Sequence, residues 1–242
     1  MATLSTAKKE MRSRIKKILA GVSAESVLSQ SSLATERLLS LPEYQAARRV
    51  SVYLSMPAGE MMTGAIVRDA FSRGKQVFVP YIYKQETTTT TDTAGAKPSS
   101  IMEMLALRSI EDYESLQPDS WGIPTLDASS VPDRENCLGG TGLLGENGAL
   151  NGEDGGLDLI VVPGMAFDGG MRRLGHGKGY YDRFINRYRN NNTQQTGKVQ
   201  MPYLAAFCLA EQVLEPPEEV PVGEYDNLVD SLVVGDGRVV RS

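Results

Sequence analysis

The segment from Leu157 to Val162 constrains the fold more than any other, because it is nearly all apolar over the length of a strand. A strand that faces solvent on one side alternates apolar and polar residues, so a run without alternation needs cover on both faces. Helices supply that cover in a parallel sheet, where each crossover packs a helix against the strands. The upstream chain repeats the theme. Val50, Val52 and Leu54 alternate with Ser51 and Tyr53 in a strand expected over Arg49 to Ser55. A helix is expected from Met61 to Arg73, with Gly74 as its stop, and a strand from Gln76 to Ile82. Strand, helix, strand is the order of a right-handed βαβ unit. Further strands are expected near Met102 to Leu107, Tyr203 to Cys208 and Val229 to Val234. The remaining helices fall at Ala24 to Leu41, at about Tyr180 to Arg189, and in a short turn capped by Ser109 with Asp112. The expected fold is of the α/β class, a three-layer α/β/α arrangement with a mainly parallel sheet, over residues 1–242 as a single domain.

Two stretches interrupt this pattern. Residues 84–100 hold five consecutive threonines and almost nothing apolar, and residues 133–156 are rich in glycine and acids. Both are expected to be disordered or mobile surface inserts, because the α/β pattern resumes directly after each.

The chain opens with an amphipathic helix from about Thr6 to Ala20. At 100° per residue, Met11, Ile15, Ile18 and Leu19 share one stripe. Lys8 and Arg12 lie on its edge, where long cations can lay their stems on the core and aim their heads into a cleft. Lys9, Lys16 and Lys17 point away, and periodicity alone also allows a solvated basic helix.

Composition narrows the function. A net charge of −5 argues against broad binding to nucleic acid or anionic membranes, so neither is an expected partner. Two cysteines, Cys137 and Cys208, give no disulfide framework and no metal-ligand spacing, and a single histidine, His176, excludes a multi-histidine metal site. The start of the chain has no apolar signal core, so a cytoplasmic location is expected; its serines and basic residues leave mitochondrial targeting open.

An anionic ligand would need a local basic cluster, and one follows the apolar strand. Pro163-Gly164 and Phe167-Asp168 lead into Arg172-Arg173-Leu174-Gly175-His176-Gly177-Lys178-Gly179-Tyr180-Tyr181-Asp182. Lying between a buried strand and a helix, this loop sits at the carboxyl edge of the sheet, where open α/β folds bind ligands. Its alternating glycines let the backbone approach a ligand, and the helix start favours an anion. It is not a Walker A loop, since the required Gly-Lys-Ser/Thr ending is absent. Asp182 is either a helix-start acid or a Mg²⁺ ligand beside phosphate, and Asp226 either a loop acid or a second such ligand.

The run Arg173 to Asp182 resembles the signature of 5-formyltetrahydrofolate cyclo-ligases, usually Arg-Leu-Gly-Arg-Gly-Lys/Gly-Gly-Tyr-Tyr-Asp. Five further pieces match in the family's order: Lys8 with Arg12, Tyr53-Leu54-Ser55-Met56 followed by Glu60, Trp121-Gly122-Ile123-Pro124, Pro163-Gly164 with Phe167-Asp168, and Val220-Pro221 through Asp226. The sequence departs from the pattern at His176, where many members have Arg, and at Met171, usually Gly. Thr125-Leu126 replaces an acid-proline pair, and the stretch before Glu60 is one residue longer than in some relatives.

The resemblance implies ATP- and Mg²⁺-dependent cyclisation of 5-formyltetrahydrofolate to 5,10-methenyltetrahydrofolate, with release of ADP and phosphate. It implies that Lys8, Arg12 and the loop Arg173, Leu174, Gly175, His176, Gly177, Lys178, Gly179, Tyr180 and Tyr181 bind ATP. Leu54, Glu60 and Trp121 would line the folate pocket together with His176, Gly177, Lys178, Gly179 and Tyr180. Arg173 and Lys178 would stabilise the transferring phosphoryl group, and Asp182 and Asp226 would hold Mg²⁺. The partner would be a reduced formylfolate, with or without a polyglutamate tail, taken by a monomer. The competing assignments are a non-catalytic folate-binding module, which would lack the phosphate cations and metal acids, and a sugar-phosphate-binding α/β protein, which would not need ATP.

Overall fold

The structure is a computed structural model that describes residues 3–84, 100–145, 156–195 and 201–241. Helices α1 (Leu4–Leu19), α2 (Ala24–Ser40) and α3 (Pro42–Ala46) precede the first strand, β1 (Arg49–Val52). Helix α4 (Gly64–Ser72) and β2 (Gln76–Lys84) complete the first βαβ unit. Then come β3 (Ser100–Leu107), the short helix α5 (Ile110–Glu114), and a small ribbon of β4 (Gln117–Pro118) and β5 (Pro124–Thr125). Strand β6 (Leu159–Val162) leads through β7 (Ala166–Asp168) and β8 (Arg173–Leu174) into α6 (Tyr180–Gln195). Strands β9 (Tyr203–Cys208), β10 (Val213–Leu214), β11 (Ser231–Val234) and β12 (Val239–Arg241) follow.

Seven strands form the central sheet in the order β12-β11-β9-β6-β1-β2-β3. Every pairing from β11 to β2 is parallel, and the two edges, β12 and β3, run antiparallel. Strand β6 is fully buried at the centre, as its unbroken apolar run requires. Its alternate residues feed two cores. Leu159 and Val161 pack with α1, α2 and α4, whereas Ile160 and Val162 pack with Phe184, Ile185 and Tyr188 of α6. These are the expected three layers. Helix starts follow their sequence signals: the side chains of Thr3, Ser23 and Ser109 accept from the backbone N–H three residues on, at 3.2, 3.1 and 3.2 Å. Among the described residues no helix is long and apolar enough to cross a membrane.

The structure corrects the expectations in several places. Ile18, assigned to the buried stripe of the first helix, is 44% exposed, while Ile15 and Leu19 carry the contact. The expected insert 84–100 joins an antiparallel hairpin, since Lys84 pairs with Ser100 at its mouth, and residues 85–99 lie outside the described residues. The first part of the expected insert 133–156 is folded. Arg134 is 3% exposed and forks onto both carboxylate oxygens of Asp112 at 2.6 and 2.8 Å, and Cys137 and Leu138 are fully buried. Its glycines serve backbone reversal: Gly139, Gly140 and Gly142 all have positive φ, which glycine adopts freely. Residues 146–155 lie outside the described residues. The loop after β6 contains two short strands, β7 and β8, that its polarity concealed, and β10 from beyond β9 joins them in a small sheet.

Helix α6, which begins at the loop of interest, is tied to the edge strand by a buried ion pair. Glu103 on β3 has no solvent exposure and accepts from Arg187 at 2.9 Å and from Asn136 at 3.2 Å. Removing one partner of such a pair strands the other charge, whereas replacing both by apolar groups does not. Glu103→Ala is therefore expected to destabilise the fold by about 3–5 kcal/mol, read from the urea midpoint. The double change Glu103→Met with Arg187→Met should recover most of that loss; a double variant as unstable as the single one would contradict this account.

Candidate functional site

Strand β6 ends in Pro163-Gly164, and glycine is needed there for space. A Cβ on Gly164 would lie 2.5 Å from the Phe167 ring, which is fully buried beneath the turn. The hairpin β7–β8 is then closed by Asp168, 2% exposed, which accepts from Gly170 N at 2.8 Å and Val220 N at 2.7 Å. Arg172 joins this scaffold: its guanidinium bonds Asp168 at 2.8 Å and Glu219 at 2.7 Å, so the loop's basic cluster loses it as a free ligand group. Met171, in a place the resembling family usually gives to glycine, has a φ of 61°. That left-handed conformation is strained for methionine, and burial of its side chain to 2% exposure offsets the strain.

Arg173 is the buried member of the basic cluster. Its guanidinium donates to Pro163 O at 3.2 Å and to Asp182 Oδ2 at 2.9 Å, and lies 5.6 Å from the centroid of the Tyr181 ring. Asp182, in the first turn of α6, also accepts from Asn227 N at 3.1 Å. The two ends of the loop are thereby fixed to each other. Leu174 points into the core at 1% exposure and anchors the loop by packing. Gly175, His176, Gly177, Lys178 and Gly179 form its outer bend, with φ values of 96° at Gly177 and 66° at Gly179. The Lys178 ammonium has no ion pair among the described residues.

The N-terminal helix brings its two edge cations to this bend. Arg12 donates through Nε to Gly175 O at 2.7 Å and lies against Gly177, where an added Cβ would sit 3.4 Å from its Cζ. Burial lowers the Arg12 pKa, and nearby Asp226 opposes that shift. Lys8 pairs with Asp226, whose carboxylate also accepts from Gly223 N. Residues 160 or more apart in sequence thus form one wall.

The loop stands between two clefts. Gly179, Asp182 and Asp226 border an open, polar cleft of about 490 Å³, together with Arg183, Asn186 and Tyr225. His176, Tyr180 and Tyr181 border a second cleft of about 320 Å³, closed by Leu54, Glu60 and Trp121 among others. This second cleft is mostly aromatic and apolar. Trp121 stands at its rim, 73% exposed, on a turn that packs Gly122 against Pro57. Glu60 is its one deeply buried acid, 8% exposed, and accepts from Met56 N at 2.9 Å. Burial raises its pKa to about 7, against the opposing bond from Met56. His176 Nε2 lies 3.9 Å from Glu60 Oε1. Although 43% of the His176 side chain remains exposed, the cleft walls withdraw enough water to lower its pKa, and Arg173 and Arg12 add to the effect.

Of the residues expected at the site, Gly179, Asp182 and Asp226 border the first cleft and Leu54, Glu60, Trp121, His176, Tyr180 and Tyr181 the second. Lys8, Arg12, Arg173, Gly175, Gly177 and Lys178 line neither, and Leu174 supports the loop from the core. Tyr53, Tyr225, Asn227 and Gly223 were not foreseen. Tyr53 carried a signal as part of the matching Tyr53-Leu54-Ser55-Met56 piece, and Gly223 and Tyr225 as part of the piece from Val220 to Asp226; Asn227 carried none. No group of three or more His, Cys, Asp or Glu side chains suited to a metal occurs among the described residues. Two hard carboxylates on one cleft nevertheless fit an ion such as Mg²⁺ that takes its other ligands from phosphate and water.

Comparison with known proteins agrees with this geometry. Residues 4–235 match the model of the 5-formyltetrahydrofolate cyclo-ligase family. A mouse 5-formyltetrahydrofolate cyclo-ligase is 33% identical over 97% of this chain and 96% of its own length. A probable 5-formyltetrahydrofolate cyclo-ligase of Schizosaccharomyces pombe is 30% identical over 99% and 100%. In fold, the chain is similar to 5,10-methenyltetrahydrofolate synthetase of Aquifex aeolicus, with a TM-score of 0.61, 24% identity, and coverage of 97% of this chain and 92% of that one.

The buried acid makes a stability prediction. The folded protein keeps the Glu60 proton up to about pH 7, while an unfolded chain releases it near the ordinary glutamate value of 4.5. The folded state thus binds more protons across that window, and stability falls as pH rises through it. Glu60→Gln is expected to raise stability at pH 8 by about 3 kcal/mol and to leave it nearly unchanged at pH 4. A variant no more stable than the native protein at pH 8, in thermal unfolding, would contradict the burial assigned to this carboxyl.

Proposed function

The chain belongs to the 5-formyltetrahydrofolate cyclo-ligase family, and from that premise we propose that it closes 5-formyltetrahydrofolate to 5,10-methenyltetrahydrofolate at the expense of ATP. The observation that carries this reading is the placement of one loop, Arg173 to Asp182, beside two clefts, one bordered by Asp182 and Asp226 and the other by Leu54, Trp121 and the deeply buried Glu60. The triphosphate suits the first, which Gly179 and the start of α6 border. The pterin suits the second, between Leu54, Tyr180 and Trp121, with Glu60 as a hydrogen-bonding partner for its polar edge.

The chemistry follows from this placement. A formyl group on nitrogen is a poor electrophile, because the nitrogen lone pair is shared with the carbonyl. Transfer of the γ-phosphoryl group to the formyl oxygen makes that oxygen a leaving group. The neighbouring amine nitrogen then attacks the formyl carbon, and phosphate departs. Lys178, with no ion pair among the described residues, and Arg173, held by Asp182, offset the charge of the transferring group. Lys8 and Arg12 hold the nucleotide from α1. Such a site works by positioning and charge neutralisation. Asp182 and Asp226 would hold Mg²⁺, which when bound neutralises phosphate charge. A reducing compartment such as the cytosol suits the two buried free thiols, Cys137 and Cys208.

The decisive assay is a rise in absorbance at about 360 nm, the band of the conjugated product, on mixing protein, 5-formyltetrahydrofolate, ATP and Mg²⁺. The rise should require all three additions; folate binding without it would overturn the reading. Lys178→Ala should lower kcat/KM by about 30- to 1000-fold, the range for loss of one charge-stabilising group. Asp226→Asn should raise the KM for ATP more than it lowers kcat, because it releases Lys8 and removes a metal ligand.

A further inference from the structure

The apolar cleft does not end at Tyr180. Tyr180 and Met102 line both that cleft and a third one of about 190 Å³, whose other walls are Ser100, Ile101, Arg183, Phe184 and Arg187. On the cyclo-ligase reading, we propose that this third cleft receives the glutamate end of the folate, with Arg183 binding its carboxylates and Lys84 at the mouth as a second cation.

The substrate presents its groups in a fixed order: a pterin, an apolar aminobenzoyl ring, then a glutamate with two carboxylates. The surface changes in the same order. Beyond the pterin cleft come Ile82 and Met102, paired directly across β2 and β3. Ile82 lines the apolar cleft and is 49% exposed, an apolar rim that a benzoyl ring would cover. Two residues further out, on the same face by strand alternation, Lys84 pairs with Ser100. The apolar floor thus ends on a cation and a hydroxyl.

Helix α6 supplies the facing wall. Tyr180, Arg183 and Arg187 are three and four residues apart and so share one side of the helix, where two like charges repel. Arg187 is neutralised by Glu103, which accepts from it at 2.9 Å. Arg183 has no ion pair among the described residues, and no acid is among those that line the third cleft. Its Cζ lies 5.4 Å from the centroid of the Tyr180 ring, beside the residue that the two clefts share. One guanidinium nitrogen donates to Lys178 O at 3.0 Å. The group carries five N–H donors in a planar fork that matches a carboxylate, so donors remain for a ligand. Arg183 also borders the polar cleft, which makes phosphate the other anion within its reach. Its packing on Tyr180, which does not border the polar cleft, favours the carboxylate.

The test compares kcat/KM for 5-formyltetrahydrofolate and for its analogue without the glutamate, 5-formyltetrahydropteroate. Native protein should lose about 30-fold on removal of the tail, in the range for charge-assisted hydrogen bonds. In Arg183→Gln the same removal should cost only about threefold, because the partner of the tail is already gone. Lys84→Gln should give an intermediate cost, and its difference from native protein should fade as salt is raised. No loss in native protein without the tail, or an undiminished loss in Arg183→Gln, would overturn the proposal. So would a rise in the KM for ATP, in place of that for folate, in Arg183→Gln; it would assign Arg183 to phosphate. Native protein that forms no product removes the cyclo-ligase reading alone. The tail site is then decided by the affinities for the two compounds, read from the fluorescence of Trp121, the single tryptophan, with the same ratios expected.

Discussion

Arg173 lies almost wholly buried between the end of the central strand, whose Pro163 carbonyl it bonds, and the first turn of α6, whose Asp182 it pairs. A guanidinium in that position is stable only while both acceptors stay in place, because an unpaired buried charge is strongly destabilising. The loop it spans is therefore held at both ends, and its glycines are free to curve without the loop losing its place. Tyr181, against the same guanidinium, and Tyr180 beside it inherit their positions from this pair. So does the partition of the surface into two clefts.

The second constraint is the return of α1 to the far end of the chain. Lys8 meets Asp226 and Arg12 meets Gly175 and Gly177, so this wall beside the loop exists only in the completed fold. Each acid on this wall is engaged by a cation, Asp182 by Arg173 and Asp226 by Lys8. That arrangement keeps opposite charges balanced before a ligand arrives. It also leaves Lys178, in the outer bend, as a cation with no ion pair among the described residues. Preorganised charges of this kind stabilise a transferring phosphoryl group without reorganising during the reaction.

Much of this was legible in the sequence because local physics dictated it. The apolar run at β6 could only be central, and Ser109 marked a true helix start. Lys8 and Arg12 were visible as cations on the margin of an apolar stripe, although periodicity could not say what they touched. What composition hid were uses of residues that depend on tertiary contact. The glycines at 139, 140 and 142 looked like low complexity and make tight turns around the buried Arg134, Cys137 and Leu138. Arg172 looked like a phosphate ligand and is held by Asp168 and Glu219. Glu60 looked like a polar contact for the substrate, and nothing in its neighbours along the chain announced either its depth of burial or His176 across the cleft.

The central claim is that ATP activates the formyl oxygen itself, and the fate of that oxygen tests it most directly. Substrate labelled with ¹⁸O in the formyl group would be turned over once with ATP and Mg²⁺, and the released inorganic phosphate examined by mass spectrometry. The two-cleft arrangement predicts one labelled oxygen in each phosphate, because the C–O bond breaks only after the O–P bond has formed. Unlabelled phosphate, with the label released to water, would contradict it and show that phosphoryl transfer and ring closure take place at different atoms.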